Sequence, residues 1–149
     1  MFRPSCDSII FDLDGTLWDA SPAVALGWSE VVKDLDLDIT ITADAIKSIC
    51  GLPSDQCIDA LFGDHVEKIH DLKNRLEQAE QREVGRVGGL LYPGVDEGIK
   101  RLAEQYKLFF ASNCQEWYME TFFKHSELQP FFTNAICFGQ TRRSKKENI

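Results

Sequence analysis

The sequence predicts an α/β fold, a parallel sheet with crossover helices into which a wholly helical segment is inserted. Three apolar runs with strand character, at residues 8–11, 107–111 and 134–138, supply the sheet. Their apolar residues are continuous instead of alternating, which is typical of strands buried on both faces. Helical patterns at residues 95–106 and 116–125 separate the runs in the second half of the chain. This order of strand, helix and strand indicates parallel pairing.

The inserted segment, residues 21–89, has helical patterns along almost its whole length. Ser21, followed by a proline, predicts the start of the first helix, with the serine as its N-cap. Residues 42–50 predict a second helix. Apolar residues at helical spacing over residues 66–79 predict a longer helix, whose charged side chains, Glu77 among them, we expect to face solvent.

The helical patterns end at residues 87–89, Val-Gly-Gly, and residues typical of turns follow. We therefore expect two domains. The first is the α/β core, made of residues 1–18 and 90–149, and the second is the helical insertion of residues 19–89.

Composition limits the class of protein. The chain has 149 residues, of which 44% are hydrophobic and 27% charged, and its net charge is −8. A negative chain with only short basic clusters disfavours nucleic acid as a partner, and no apolar window is long enough to cross a bilayer. Residues 1–7 lack the apolar core of a signal peptide, and the five cysteines show no paired spacing. We expect a cytoplasmic protein with no membrane partner.

Polar residues follow each predicted strand at the edge where parallel sheets bind ligands. Asp12 and Asp14 come after the first strand, Ser112 and Asn113 after the second, and a polar cluster at residues 140–146 after the third. Side chains of an extended segment alternate, so that the two aspartates can point into one pocket. The sequence therefore predicts that the reactive side chains lie at this edge of the sheet.

Two neighbouring carboxylates repel, which separates their pKa values or recruits a cation. One acid, Asp12 or Asp14, can then be an ionised nucleophile or ligand, and the other can hold a proton as a general acid. That pairing suits covalent catalysis through an acyl phosphate. A calcium loop starting at Asp12 is excluded, because Leu17 and Ala23 stand where it needs glycine and glutamate. An Asx turn without chemistry is the alternative, but the strand-turn context favours catalysis.

These motifs resemble the signatures of the haloacid dehalogenase-like (HAD) hydrolase superfamily. Residues 12–17, Asp-Leu-Asp-Gly-Thr-Leu, with their apolar lead-in, look like the first signature, and Ser112 with Asn113 looks like the second. Lys145 matches the lysine of the third. A helical insertion directly after the first signature is similar to the C1-capped subgroup, which includes phosphoglycolate phosphatase-like and β-phosphoglucomutase-like enzymes.

The resemblance implies a Rossmann-like core with a cap and a magnesium-dependent phosphatase acting on a small phosphorylated metabolite. It implies that Asp12 attacks the phosphoryl group to form an aspartyl phosphate. Asp14 would protonate the leaving oxygen and then deprotonate the water that hydrolyses the intermediate. Mg²⁺ would be held by the Asp12 carboxylate and the backbone carbonyl of Asp14.

The resemblance also implies the groups that receive the phosphate oxygens. They are the backbone N–H groups near Asp14 and Gly15, Ser112, Asn113 and Lys145. Lys146 is the alternative to Lys145, since either lysine can reach a phosphate from a helix start. The cap would select the substrate, with residues 51–53 as its substrate-facing loop or as an ordinary helix-ending turn.

The fourth signature of the family, an acidic pair after another strand, has no counterpart in the sequence. Ser144 and Glu147 form a capping box, a helix start close to the last residue, so that we expect the C-terminal strands of the core to be missing. Magnesium would then be weakly held, and we expect little or no turnover from this chain. The first strand would have an open edge at which the chain could self-associate.

Two alternatives to a phosphatase stay open. The chain could be a catalytically impaired phosphate-binding or interaction module, or a phosphomutase on the same scaffold. The sequence does not identify the substrate, because specificity depends on contacts made by the cap.

Overall fold

The structure, a computed structural model, describes residues 6–52 and 54–149, with the side chains of residues 54 and 55 left aside. Part of the predicted loop 51–53 therefore lies outside the described residues, as do most of residues 1–7. The first half of the chain forms, in order, β1 (Ser8–Phe11), β2 (Trp18–Asp19), α1 (Ser21–Asp34), α2 (Ala43–Ile49), α3 (Ser54–Phe62), α4 (His65–Lys68) and α5 (Leu72–Val87).

The second half returns to strands that alternate with helices. Its elements, in order, are β3 (Leu90–Leu91), α6 (Val95–Ala103), β4 (Lys107–Ser112), α7 (Glu116–Ser126), a 3-10 turn (Gln129–Phe131), β5 (Asn134–Cys137), α8 (Phe138–Thr141) and α9 (Lys145–Asn148). The α/β class predicted from the sequence is confirmed.

The main sheet has three parallel strands in the order β1-β4-β5. Ile10 pairs with Phe109 across the first ladder, and Phe110 pairs with Ala135 across the second. The central strand is the most buried, and Leu108 and Phe110 are each 1% exposed. Because all three strands run the same way, their carboxyl ends meet at one edge, where the polar residues follow.

The first strand differs from its prediction. It was expected to be buried on both faces, but Ile10 is 48% exposed. The reason is its place in the sheet, since within residues 6–52 and 54–149 β1 pairs with β4 alone in this sheet and forms its edge. A continuous apolar run cannot tell an edge strand from a central one.

Two helix predictions also need correction. The helix predicted over residues 66–79 is broken between α4 and α5, because Asp71 has a φ of 66°, which a right-handed helix cannot contain. Ser21 is not an N-cap but the first residue of α1, and Ala20 is the cap. The N–H and hydroxyl of Ser21 both donate to the Asp19 carboxylate, at 3.0 and 2.5 Å.

The helices α1 to α5, hereafter the helical segment, share one apolar core with the sheet. Its α1 packs along α5, and the two backbones approach closely at Gly27, where a Cβ would lie 2.7 Å from the Ala79 carbonyl oxygen. Trp28 and Leu76 are buried at this interface. No helix in the described part of the chain is long and apolar enough to cross a membrane.

A short antiparallel ladder, which the sequence analysis missed, joins β2 to β3 where the chain enters and leaves the helical segment. Trp18 pairs with Leu91 and Asp19 with Leu90. Strands of two residues are too short to show a period of two. One predicted domain boundary, between residues 18 and 19, falls within β2, and the other, between residues 89 and 90, directly precedes β3. The division into two domains stays a prediction.

The capping box at the C-terminal end is confirmed. The Glu147 N–H donates to the Ser144 hydroxyl at 3.4 Å, and the Ser144 N–H donates to the Glu147 carboxylate at 2.9 Å. One turn of helix, α9, follows and carries Lys145 to the edge of the sheet at which the strands end.

Candidate active site

Asp12 and Asp14 line one cleft of about 740 Å³ between the sheet and the helical segment. One side, hereafter the sheet wall, consists of residues that follow the strands: Asp12, Asp14, Ser112 and Asn113. The opposite side, hereafter the helical wall, is contributed by α1, α2 and α5 and includes Trp28, Glu77 and Glu80. The alternation of an extended segment thus brings both predicted acids to one pocket.

Asp12 lies directly after β1, and each oxygen of its carboxylate has a partner. Oδ1 accepts a hydrogen bond from the Leu13 N–H at 2.8 Å, and Oδ2 lies 2.8 Å from Nζ of Lys145. The lysine begins α9, which the capping box holds in place. Lys145, and not Lys146, is therefore the lysine that reaches the first aspartate.

Asp14 is half-buried, and its Oδ1 accepts a hydrogen bond of 2.7 Å from the hydroxyl of Tyr118 on α7. Burial, together with the negative charge of Asp12, raises the pKa of Asp14 to about 6, although the Tyr118 hydrogen bond opposes the shift. At neutral pH this carboxyl still carries a proton part of the time, as a general acid must.

Gly15 follows with a φ of 73°, a left-handed conformation that turns the chain directly after the acids. Its N–H was predicted to bind phosphate. In the structure this N–H donates to the Trp18 carbonyl at 3.3 Å, so that it already has a backbone partner. A phosphate-binding role for Gly15 stays a prediction.

Ser112 and Asn113 end β4, as predicted. The Ser112 side chain is buried and its Oγ accepts from the Cys114 N–H at 3.1 Å. The Asn113 side chain bridges two segments, because Nδ2 donates to the Gly51 carbonyl at 3.0 Å and Oδ1 accepts from the Lys145 N–H at 2.8 Å. Asn113 therefore braces the protein here, and its predicted contact with phosphate stays untested.

Few side chains in the cleft could bind a metal ion. The described residues contain no group of three or more His, Cys, Asp or Glu side chains arranged to hold an ion. The two carboxylates of Asp12 and Asp14 do share the cleft. Mg²⁺ is commonly bound by one or two carboxylates, with waters and substrate phosphate completing its shell, so the Asp12 carboxylate fits it. The backbone carbonyl of Asp14 stays the predicted second ligand.

The structure adds site residues that the sequence analysis missed. Tyr118 was expected only as part of a helix, and its bond to Asp14 joins residues far apart in the chain. Glu77 was assigned to a solvent-exposed face, which is wrong, because it lines the cleft with Glu80, three residues later on the same helix. Helical spacing alone does not reveal which side of α5 is turned toward the cleft.

Comparisons with known proteins agree with this geometry. A model of the haloacid dehalogenase-like hydrolases matches residues 9–149. The probable phosphatase IndB of Dickeya dadantii (strain 3937) is 32% identical over 109 residues, which cover 70% of this chain and 47% of that protein. The chain thus aligns with about half the length of this relative.

Solved structures show the same fold. A predicted phosphoglycolate phosphatase from Haemophilus somnus 129pt is 23% identical with a TM-score of 0.71, over 91% of this chain and 63% of that one. YfnB from Bacillus subtilis, solved bound to magnesium, is 22% identical with a TM-score of 0.65, over 91% and 66%. The match over nearly the whole sequence shows that this chain belongs to the haloacid dehalogenase-like hydrolase family.

Proposed function

We propose that this chain carries the nucleophile and the general acid of a phosphatase that acts on a small phosphorylated metabolite. One observation carries the proposal. Asp12 and Asp14 share a cleft, and Lys145 lies 2.8 Å from the first of them. The IndB relative is named as a phosphatase, which supports the same reaction class.

In the first half-reaction, an Asp12 oxygen attacks phosphorus, and the bond between phosphorus and the ester oxygen breaks. The leaving alcohol takes its proton from Asp14, whose raised pKa keeps that proton available. Lys145 offsets negative charge on the phosphoryl oxygens beside Asp12. The product is an aspartyl phosphate on Asp12.

In the second half-reaction, Asp14 is ionised and accepts a proton from water, whose oxygen attacks phosphorus. The acyl phosphate bond breaks, inorganic phosphate leaves, and both aspartates return to their starting states. When bound, Mg²⁺ would be held by the Asp12 carboxylate and the backbone carbonyl of Asp14 and would neutralise charge between the nucleophile and the phosphate. The magnesium in YfnB supports this choice of ion.

The cellular compartment is part of the proposal. All five cysteines are free thiols, including the exposed Cys6 and Cys50. Free exposed thiols persist in a reducing compartment, which supports the cytoplasm.

The test measures the first half-reaction, so that it does not depend on turnover. The chain is mixed with p-nitrophenyl phosphate and Mg²⁺, and p-nitrophenolate release is followed by stopped flow. We expect a burst that approaches one equivalent per chain. Asp12→Asn should reduce the burst rate by roughly 10³-fold or more, because an amide is a far weaker nucleophile.

The matched control is Asp7→Asn, which changes an exposed aspartate five residues earlier in the sequence. It should keep the wild-type burst. Peptide mass spectrometry after acid quench should find the phosphoryl group on Asp12. An unchanged burst in Asp12→Asn, or no burst in the wild type, contradicts the proposal.

A further inference from the structure

Two cysteines, Cys114 and Cys137, lie next to each other at the edge of the sheet where the strands end. Cys137 is the last residue of β5 and pairs with Ser112 across the ladder, and Cys114 follows Ser112 by two residues. Beyond the ladder, the Gly139 N–H donates to the Cys114 carbonyl at 3.1 Å. The two segments that carry the thiols therefore run alongside each other past the ends of β4 and β5.

The backbones of these two segments also approach each other closely. A Cβ on Gly139 would clash with the backbone nitrogen of Glu116 and would lie 2.9 Å from the Cα of Gln115. Across this narrow space the Cys114 thiol donates a hydrogen bond to the sulfur of Cys137. Two cysteines can be joined by a disulfide only where their backbones are near and their side chains point toward each other, as these do.

The two thiols differ in exposure and in their pKa values. Cys114 lines the cleft, whereas Cys137 is fully buried. The hydrogen bond from Cys114, and then backbone N–H groups at the start of α8, hold the pKa of Cys137 below its usual range. The same hydrogen bond, together with burial, raises the pKa of Cys114. The pair thus combines a thiol that a small oxidant can reach with a neighbouring sulfur that gives up its proton easily.

The other two cysteines of the cleft, Cys50 and Cys57, are in a different state. Each donates to a backbone carbonyl of α2 at 3.4 Å. Burial raises the pKa of Cys50 to about 12 and that of Cys57 to about 11. Both thiols therefore stay protonated at neutral pH, and a protonated sulfur is a poor nucleophile. The Cys114 proton, by contrast, already points at a sulfur whose pKa is lowered.

We propose that Cys114 and Cys137 are a site of reversible oxidation, at which a hydroperoxide joins the two thiols as a disulfide beside the cleft. First, the Cys114 sulfur attacks one oxygen of hydrogen peroxide, the O–O bond breaks, and the Cys114 thiol proton leaves with the other oxygen as water. The Cys137 sulfur then attacks the sulfur of the Cys114 sulfenic acid. The S–O bond breaks, and the hydroxyl leaves as water with the Cys137 thiol proton. Two thiols thus lose two electrons, and one peroxide is reduced to two waters.

Oxidation should reach the reaction through Asn113, and this consequence rests on the proposed function. An S–S bond is about 2.0 Å long, so that the two segments must draw together when it forms. Asn113, directly before Cys114, accepts from the Lys145 N–H at 2.8 Å. The Ser112 hydroxyl accepts from the Cys114 N–H at 3.1 Å. Movement of this turn therefore displaces the groups that surround Asp12.

The test treats the full chain with hydrogen peroxide and maps its disulfides by peptide mass spectrometry without reduction. We expect a bond between Cys114 and Cys137 that dithiothreitol removes. The burst of p-nitrophenolate should fall by roughly tenfold or more on oxidation, because small displacements of catalytic groups lower the rate strongly. It should return on reduction.

Three variants sharpen the test. Cys114→Ser should form no disulfide and keep its burst in peroxide. Cys137→Ala should stop at the Cys114 sulfenic acid, which dimedone labels, and so reports which sulfur reacts first. Cys50→Ser, which removes another thiol of the cleft, is the matched control. It should form the disulfide and lose its burst in peroxide as the wild type does.

A disulfide between Cys50 and Cys57 in place of the proposed bond, or no disulfide at all, would overturn the inference. So would a burst that complete oxidation of the proposed pair leaves unchanged. Mapping the bond needs no reaction at Asp12. A mapped disulfide in a chain whose reduced form shows no burst would therefore count against the phosphatase alone and support the oxidation site.

Discussion

The two walls of the cleft are built in different ways. On the sheet wall, Asp12, Asp14 and Asn113 are each hydrogen-bonded or ion-paired to a named protein group. On the helical wall, burial raises the pKa of Glu80 to about 8, and the Trp28 indole N–H is turned toward this carboxyl. Groups held in place by the protein before substrate binds are those that the reaction requires. We propose that the sheet wall carries out the reaction and that the helical wall selects the substrate.

After Asp12, the largest expected effect at the sheet wall comes from Lys145, which contacts it. Lys145→Ala removes the cation 2.8 Å from Asp12, and we expect the burst rate to fall by roughly 10²-fold or more. Lys146→Ala, which changes the exposed neighbouring lysine, should leave it nearly unchanged. Stopped-flow bursts of the two variants decide between these lysines. Equal losses in both would show that the ion pair does not serve the reaction.

A smaller effect is expected when Tyr118 loses its hydroxyl. The Tyr118 hydrogen bond lowers the pKa of Asp14, so Tyr118→Phe should raise that pKa further above its ordinary value. Asp14 acts in the first step when protonated, and its protonated fraction falls as pH rises through about 6. The variant should therefore keep its burst rate to a higher pH than the wild type.

The measurement is the rate of Asp12 phosphorylation by an alkyl phosphate, whose basic leaving group needs the proton, as a function of pH for wild type and Tyr118→Phe. Tyr106→Phe, which changes a partly buried tyrosine away from the cleft, is the control and should show the wild-type profile. A fall that moves to lower pH in Tyr118→Phe would contradict the assignment of Asp14 as the acid.

The smallest effect concerns the edge of the main sheet at β1, outside the cleft. Ile10 is 48% exposed there, and we propose that a second copy of the chain pairs with this edge at high concentration. Ile10→Lys should shift sedimentation profiles toward monomer. Leu26→Lys, at an equally exposed leucine on α1, should not. A wild-type chain that stays monomeric at all concentrations would refute the pairing.

The sheet wall was largely predictable from the sequence, and the helical wall was not. Asp12 and Asp14 lie two residues apart in one extended segment, so that local alternation suffices to bring them together. Glu80 and Tyr118 reach the site only through tertiary packing, which no local pattern encodes. The exposure of Ile10 likewise depends on which strands flank β1. The helix break at Asp71 depends on a single backbone angle.

Asn113 connects the two walls, and this has a mechanical consequence. Its side-chain amide holds the Gly51 carbonyl of the helical segment and the backbone N–H of Lys145 at the same time. If the helical segment moves away from the sheet, the hydrogen bond to the Gly51 carbonyl breaks. The Asn113 side chain, which also accepts from the Lys145 N–H, is then less firmly held. The position of Lys145 beside Asp12 thus depends, through the Asn113 side chain, on the position of the helical segment.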